Sequence, residues 1–137
     1  NATNVDITQN DASGAARGIS VINSSGLDID NNIVRDNVDT GIYVNGISNS
    51  QIRRNESVSN GMHGIWLYAG SASISDNDVS GNLFGNGILD SPDFGNSIIK
   101  DNNGTGNGGF DFRDDNMNCG TNVWVNNNGT GSQACVQ

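Results

Sequence analysis

Residues 41–64 read GIYVNGISNSQIRRNESVSNGMHG, and the residues that follow, IWLY at 65–68, begin the same outline again. Outward from this stretch, Gly18, Gly41, Gly64, Gly87 and Gly109 each open a short apolar run. The runs are GISVI, GIYVN, GIWLY, GILDS and GFDFR, at separations of 23, 23, 23 and 22 residues. A second run in each repeat ends on an aliphatic or aromatic residue, two others and an asparagine. These endings are Ile7 to Asn10, Ile29 to Asn32, Ile52 to Asn55, Ile74 to Asn77, Ile99 to Asn102 and Trp124 to Asn127. A further asparagine, at Asn37, Asn60, Asn82 and Asn107, closes most repeats. Self-similarity at a fixed period of this length marks a repeat architecture.

The runs are short, alternate with period 2 and are bounded by Gly and Asn, so they read as strands and none is long enough for a helix. A unit of about 22 residues cannot bury its own apolar side, whereas like units stacked ~4.8 Å apart share one core and pair their strands in parallel. Asparagine suits the corners because it tolerates left-handed backbone angles and because stacked amides can hydrogen-bond as a ladder. Composition agrees: 19 Gly and 24 Asn against one Pro demand many turns of one kind, and 34% apolar content over 137 residues supports a single core. One domain over residues 1–137 is expected.

With these residues, the chain resembles the right-handed parallel β-helix repeat family, the pectate-lyase-like and NosD-like proteins with repeats of the G-I-x-V … I-x-x-N form. The resemblance runs from about residue 4 to 127. It implies an all-β, right-handed parallel β-helix solenoid of about six coils. A leucine-rich repeat shares the period but needs leucines at fixed spacings that are absent here. The family includes lyases, hydrolases, epimerases, viral spikes and structural proteins, so the resemblance carries a fold and not a reaction.

Alternation after each glycine places Ile19, Ile42, Ile65, Ile88 and Phe110 in one buried column and Val21, Val44, Leu67, Asp90 and Phe112 in the next. The outward columns are then Ser20, Tyr43, Trp66, Leu89 and Asp111, with Ile22, Asn45, Tyr68, Ser91 and Arg113 beside them. Tyr43, Trp66 and Tyr68 would share one face, with His63 at its edge. Aromatic rings on a rigid sheet suit the apolar faces of sugar rings, which makes Tyr43, Trp66, Tyr68, Asp111 and Arg113 candidate polysaccharide-binding residues. The same rings are good strand formers that gain stability by stacking between rungs. Both readings stand.

Asp90, Asp93, Asp114 and Asp115 gather near the openings of two successive repeats, where carboxylates one rung apart can share a hard cation such as calcium. In pectate-lyase-like enzymes such a cation neutralises a uronate while a basic residue removes a proton. The resemblance therefore makes Arg113, Lys100 and His63 candidates for the basic role. No complete lyase, epimerase or polygalacturonase signature accompanies them, so the catalytic set stays unassigned. A solvated acidic surface explains the same aspartates, and Asp90, close to Pro92, also fits a bulge.

Fifteen acidic against six basic residues give a net charge of -9, which opposes nucleic acid as a partner. No run of about 18 apolar residues exists, and no basic-then-apolar pattern opens the chain, so neither a membrane span nor an export signal is read. Cys119 and Cys135 lack a C-x-x-C spacing and a neighbouring His, which favours a local disulfide over zinc. That bond would close a C-terminal cap over residues 119–135, contribute ~3 kcal/mol and imply an oxidising, secreted or cell-surface setting. The first coil begins abruptly at Asn4 to Ile7, so the N-terminal end reads as open, either continuing a longer β-helix or covered by a partner.

Two functions follow. One is an extracellular carbohydrate-interacting β-helix, a polysaccharide-binding module or the C-terminal part of a lyase- or epimerase-like protein. The other is a structural or adhesive surface protein that self-associates through the open coil into a filament.

Overall fold

The computed structural model describes residues 2–136. Its strands in chain order are β1 (Asp6–Thr8), β2 (Asp11–Ser13), β3 (Ile19–Ser25), β4 (Asp28–Asp30), β5 (Ile33–Arg35), β6 (Ile42–Arg53), β7 (Glu56–Val58), β8 (Ile65–Ser75), β9 (Ile88–Phe94), β10 (Ile98–Lys100), β11 (Phe112–Asp114) and β12 (Val123–Val125). Every strand pairs in parallel with its counterpart one repeat away, as stacking of like coils requires.

One face holds β3, β6, β8, β9 and β11. A second runs β1-β4-β6-β8-β10-β12. The third starts as β2-β5-β7 and continues as single bridges through Asp78, Asn103 and Asn128. Strands β6 and β8 carry the chain round a corner from the first face to the second, with register shifts after Val44 and Leu67. Six rungs on a face enclose five turns, so the solenoid makes about five turns where six coils were expected.

The lumen is filled by columns one rung apart. Ile42, Ile65 and Ile88 are fully buried, as are Ile29, Ile52, Ile74 and Ile99, which continue into Trp124. At the corners run two asparagine ladders. In the first, Nδ2 of Asn10, Asn32, Asn55, Asn77 and Asn102 donates to Oδ1 of the next asparagine at 2.9–3.0 Å, ending at Asn127. The second runs Asn37, Asn60, Asn82 and Asn107 at 2.9–3.1 Å. Each Oδ1 also accepts the backbone N–H of the preceding rung's residue, as when Asn77 accepts from Asn55 N at 3.0 Å.

The ladder asparagines do not themselves adopt left-handed angles, contrary to the sequence reading. The residue before each one does: Gln9, Asn31, Arg54, Asp76, Asp101 and Asn126 in the first ladder, and Asp36, Ser59, Gly81 and Gly106 in the second. The left-handed residue turns the chain, and the asparagine after it is thereby aimed inward to stack.

The glycine column reflects close approach. A Cβ on Gly64 would lie 2.7 Å from the Gly87 carbonyl oxygen and 2.8 Å from Asn82 Nδ2. In the last turn Asp111, not Gly109, takes this place, and the sequence-based assignment of that coil is corrected. Phe112 pairs with Ile88, Arg113 with Leu89 and Asp114 with Asp90. Phe110 is therefore exposed at 42%, Phe112 is fully buried, and Asp111 lies in the corner instead of on the outer face. The later asparagine steps had lengthened to 25 residues, as from Asn82 to Asn107, so Gly109 comes too early to open the coil.

Past β11 the chain turns through Met117–Cys119, and the Cys119–Cys135 disulfide ties the C-terminal segment over the last rung. Gln133 Nε2 donates to the carbonyls of Asp114 and Asn116 at 2.6 and 2.9 Å, and Val136 enters the core. No helix among the described residues is long and apolar enough to cross a membrane.

Candidate functional site

The outward column of the first face is Ser20, Tyr43, Trp66, Leu89 and Arg113, set by strand register. Tyr43 and Trp66 meet edge to face at 5.3 Å between ring centroids, and Trp66 meets Tyr68 at 5.7 Å. His63 lies 5.4 Å from the Trp66 ring, so the three aromatics and the histidine do form one cluster.

The rings are not equally available. The Arg17 guanidinium covers Tyr43 at 4.2 Å from its centroid, held there by a 2.9 Å bond to Asp39, and Tyr43 is only 8% exposed. Rungs a few ångströms apart leave little room between bulky neighbours, so each side chain shields the next. Trp66 is half-buried, its Nε1 donating to Ser91 Oγ at 2.9 Å. Tyr68 stands out at 42% exposure because it is the extra residue of a bulge, Leu67 pairing with Val44 and Ala69 with Asn45.

His63 is half-buried, and its Nδ1 accepts the Asn86 backbone N–H at 2.9 Å. That bond places the ring proton on Nε2, which has no hydrogen-bond partner among the described residues. Burial pushes its pKa below 6.5, against Asp39, so the imidazole is held neutral. An exposed apolar ridge adjoins it at the corner: Met62, Leu83, Phe84 and Phe110. Sequence reasoning missed this ridge and the Arg17, Asn86 and Ser91 contacts, because the partners come from other rungs.

The aspartates divide. Asp93 and Asp115 are exposed, whereas Asp90 and Asp114 point into the lumen on adjacent rungs, at 0% and 3% exposure. Asp114 accepts from Asn116 N at 2.8 Å, Asn116 Nδ2 at 2.9 Å, Asn122 Nδ2 at 3.2 Å and Trp124 Nε1 at 2.9 Å. Asp90 Oδ2 accepts from Asn122 Nδ2, while its buried Oδ1 has no partner among the described residues. Burial, with the Asp114 and Asp115 charges beside it, raises the Asp90 pKa to about 9, so it carries a proton at neutral pH.

Asp111 ends the second ladder, accepting from Asn107 Nδ2 at 2.7 Å and from Thr130 N and Oγ1 at 2.8 Å. Burial raises its pKa, but these bonds outweigh that effect and hold the carboxyl below its ordinary value. Of the basic candidates, Arg113 pairs with Asp115 at 2.7 Å on the first face, and Lys100 with Asp101 at 3.6 Å on the second. The fold does not bring Lys100, Arg113 and His63 onto one face. Among the described residues no three His, Cys, Asp or Glu side chains are placed to hold a metal ion.

A model of the family described as "Periplasmic copper-binding protein (NosD)" matches residues 1–134. No curated protein and no solved structure matches the chain. The residues present do not fit copper, which takes imidazole, thiolate or thioether donors. His63 is the one histidine and is locked with its proton on Nε2, and both cysteines are consumed in the disulfide, which leaves exposed Met62 and Met117 as the remaining soft donors. The disulfide and the family description both accord with a compartment outside the cytoplasm. From its repeats, its parallel β-helix and a family match over nearly its whole length, the chain belongs to the NosD family.

Proposed function

We propose that this protein is an extracytoplasmic β-helix, secreted or held at the cell surface, that binds polysaccharide on the face centred on Trp66 and Tyr68. The carrying observation is the bulge at Tyr68. It lifts one ring out of the ladder beside a half-buried indole whose Nε1 is anchored to Ser91. Two rings fixed at 73° to each other on a rigid sheet offer a preorganised apolar surface, which lowers the ordering cost of binding a sugar chain. Tyr43 supports this pair from beneath Arg17, and Arg113 flanks it one rung beyond Leu89.

The test is titration of intrinsic fluorescence with an oligosaccharide panel. Trp66 reports the face, since Trp124 is buried in the lumen. A saturable change in the parent protein, lost in Tyr68→Ala at unchanged melting temperature, is the expected result. Absence of saturable binding across neutral and acidic glycans would overturn the reading.

A further inference from the structure

Resting on the polysaccharide reading, we infer that the glycan taken by the Trp66 face is uncharged, and that His63 selects it by donating its Nε2–H to a sugar hydroxyl.

The first observation concerns cations. The chain has six basic residues, and each lies within salt-bridge distance of an aspartate: Arg17 of Asp39, Arg35 of Asp11, Arg53 of Asp28, Arg54 of Asp30, Lys100 of Asp101 and Arg113 of Asp115. The two that flank the aromatic face, Arg17 and Arg113, hold their partners at 2.9 and 2.7 Å. A uronate or sulfate arriving there would meet guanidinium groups whose positive charge is already offset by an adjacent carboxylate. It would also approach a protein of net charge -9, with exposed Asp93 and Asp115 close to the face. Recognition of an anionic sugar is favoured by uncompensated positive charge, and among the described residues both guanidinium groups at this face are already neutralised by aspartates.

The second observation concerns His63. A neutral glycan presents hydroxyl groups, which are read by donors and acceptors fixed beside the ring that stacks the sugar. His63 meets that need: its ring sits 5.4 Å from Trp66, Nδ1 is occupied by Asn86 N, and Nε2 carries an uncommitted N–H. Burial keeps the imidazole neutral, so it adds no charge to the face. The exposed Met62 and Phe84 at the adjoining corner extend the apolar surface in the same direction.

The experiment compares neutral oligosaccharides of glucose, xylose and mannose with uronate oligosaccharides, at low and high salt, on the full chain. Saturable binding of a neutral glycan, constant within about twofold across salt and without uronate binding, is expected. His63→Leu should weaken it about three- to tenfold. His63→Gln, whose amide can accept from Asn86 N and donate outward, should stay within about twofold of the parent. Uronate binding that fades with salt would overturn the inference and leave the polysaccharide reading intact. Failure of both classes would overturn both. Neutral binding insensitive to His63→Leu would remove His63 from the selection.

Discussion

Asp114 sits on the rung after Asp90, and a single nitrogen, Asn122 Nδ2, donates to Oδ2 of both carboxyl groups. The previous three rungs hold Val21, Val44 and Leu67 in this column. This one column thus changes from apolar to polar where the disulfide cap begins, while Phe112, Ile99 and Trp124 keep the rest of the lumen apolar. Asn116, Asn122 and Trp124, which satisfy Asp114, all belong to the segment that closes the end. Asp114 organises the cap, and Asp90 is the group left short of partners.

Stability should fall as pH rises from neutral to alkaline. The folded pKa of Asp90, about 9, stands above the 3.8 of the unfolded chain, so between these values the folded state keeps a proton that the unfolded state releases. The stabilisation is full below about pH 4 and is lost as pH climbs toward 9, by at most about 1.4 kcal/mol per pH unit. Urea unfolding at several pH values above neutrality checks this without interference from His63, whose pKa lies below 6.5. Asp90→Asn should flatten the slope; an equal slope in that variant would assign it elsewhere.

Asn55 sits mid-ladder and its amide makes four bonds: it accepts from Asn32 N and Asn32 Nδ2, and donates to Ile29 O and Asn77 Oδ1. Asn55→Ala should cost roughly 3–5 kcal/mol, because several buried polar groups lose their partner at once. Asn10, exposed at the first rung, should cost under about 1 kcal/mol when replaced by Ala, since water can take over its bonds. Paired denaturation curves measure the contrast.

Ser59 holds a left-handed conformation with φ 55, where the following rungs use Gly81 and Gly106. Its side chain is exposed. Ser59→Gly should relieve the strain and leave the protein equal or up to about 1 kcal/mol more stable, the relief being partly offset by the greater freedom of glycine when unfolded. A clear loss of stability would mean that Ser59 contributes through its side chain.

Reduction of Cys119–Cys135 should loosen the cap before the coils. An overall loss of about 2–4 kcal/mol is expected, with amide exchange rising first across residues 114–136. Uniform acceleration across β6 and β8 would show that the cap and the coils unfold as one.

The parallel β-helix was legible because its repeats recur in sequence. Gly41, Gly64 and Gly87 stand one rung apart, and Asn32, Asn55, Asn77 and Asn102 form the ladder that their spacing foretold. The last coil misled because GFDFR offers two phenylalanines two residues apart, and alternation alone fits either in the lumen. Only the longer step from Asn82 to Asn107 distinguished Phe112 from Phe110.

Sequence by itself determined the period, the strand type, the inward isoleucine columns, the two ladders and the disulfide partners. These depend on residues repeated along the chain, and periodicity reports them directly. Tertiary structure alone decided that Arg17 covers Tyr43, that a bulge frees Tyr68, that Asn86 fixes the His63 proton, and that Asp90 and Asp114 turn inward while Asp93 and Asp115 face water. Each of these joins residues about one rung apart, and such contacts are set by the exact register between neighbouring coils, where a shift of one residue reverses which side chains face the lumen.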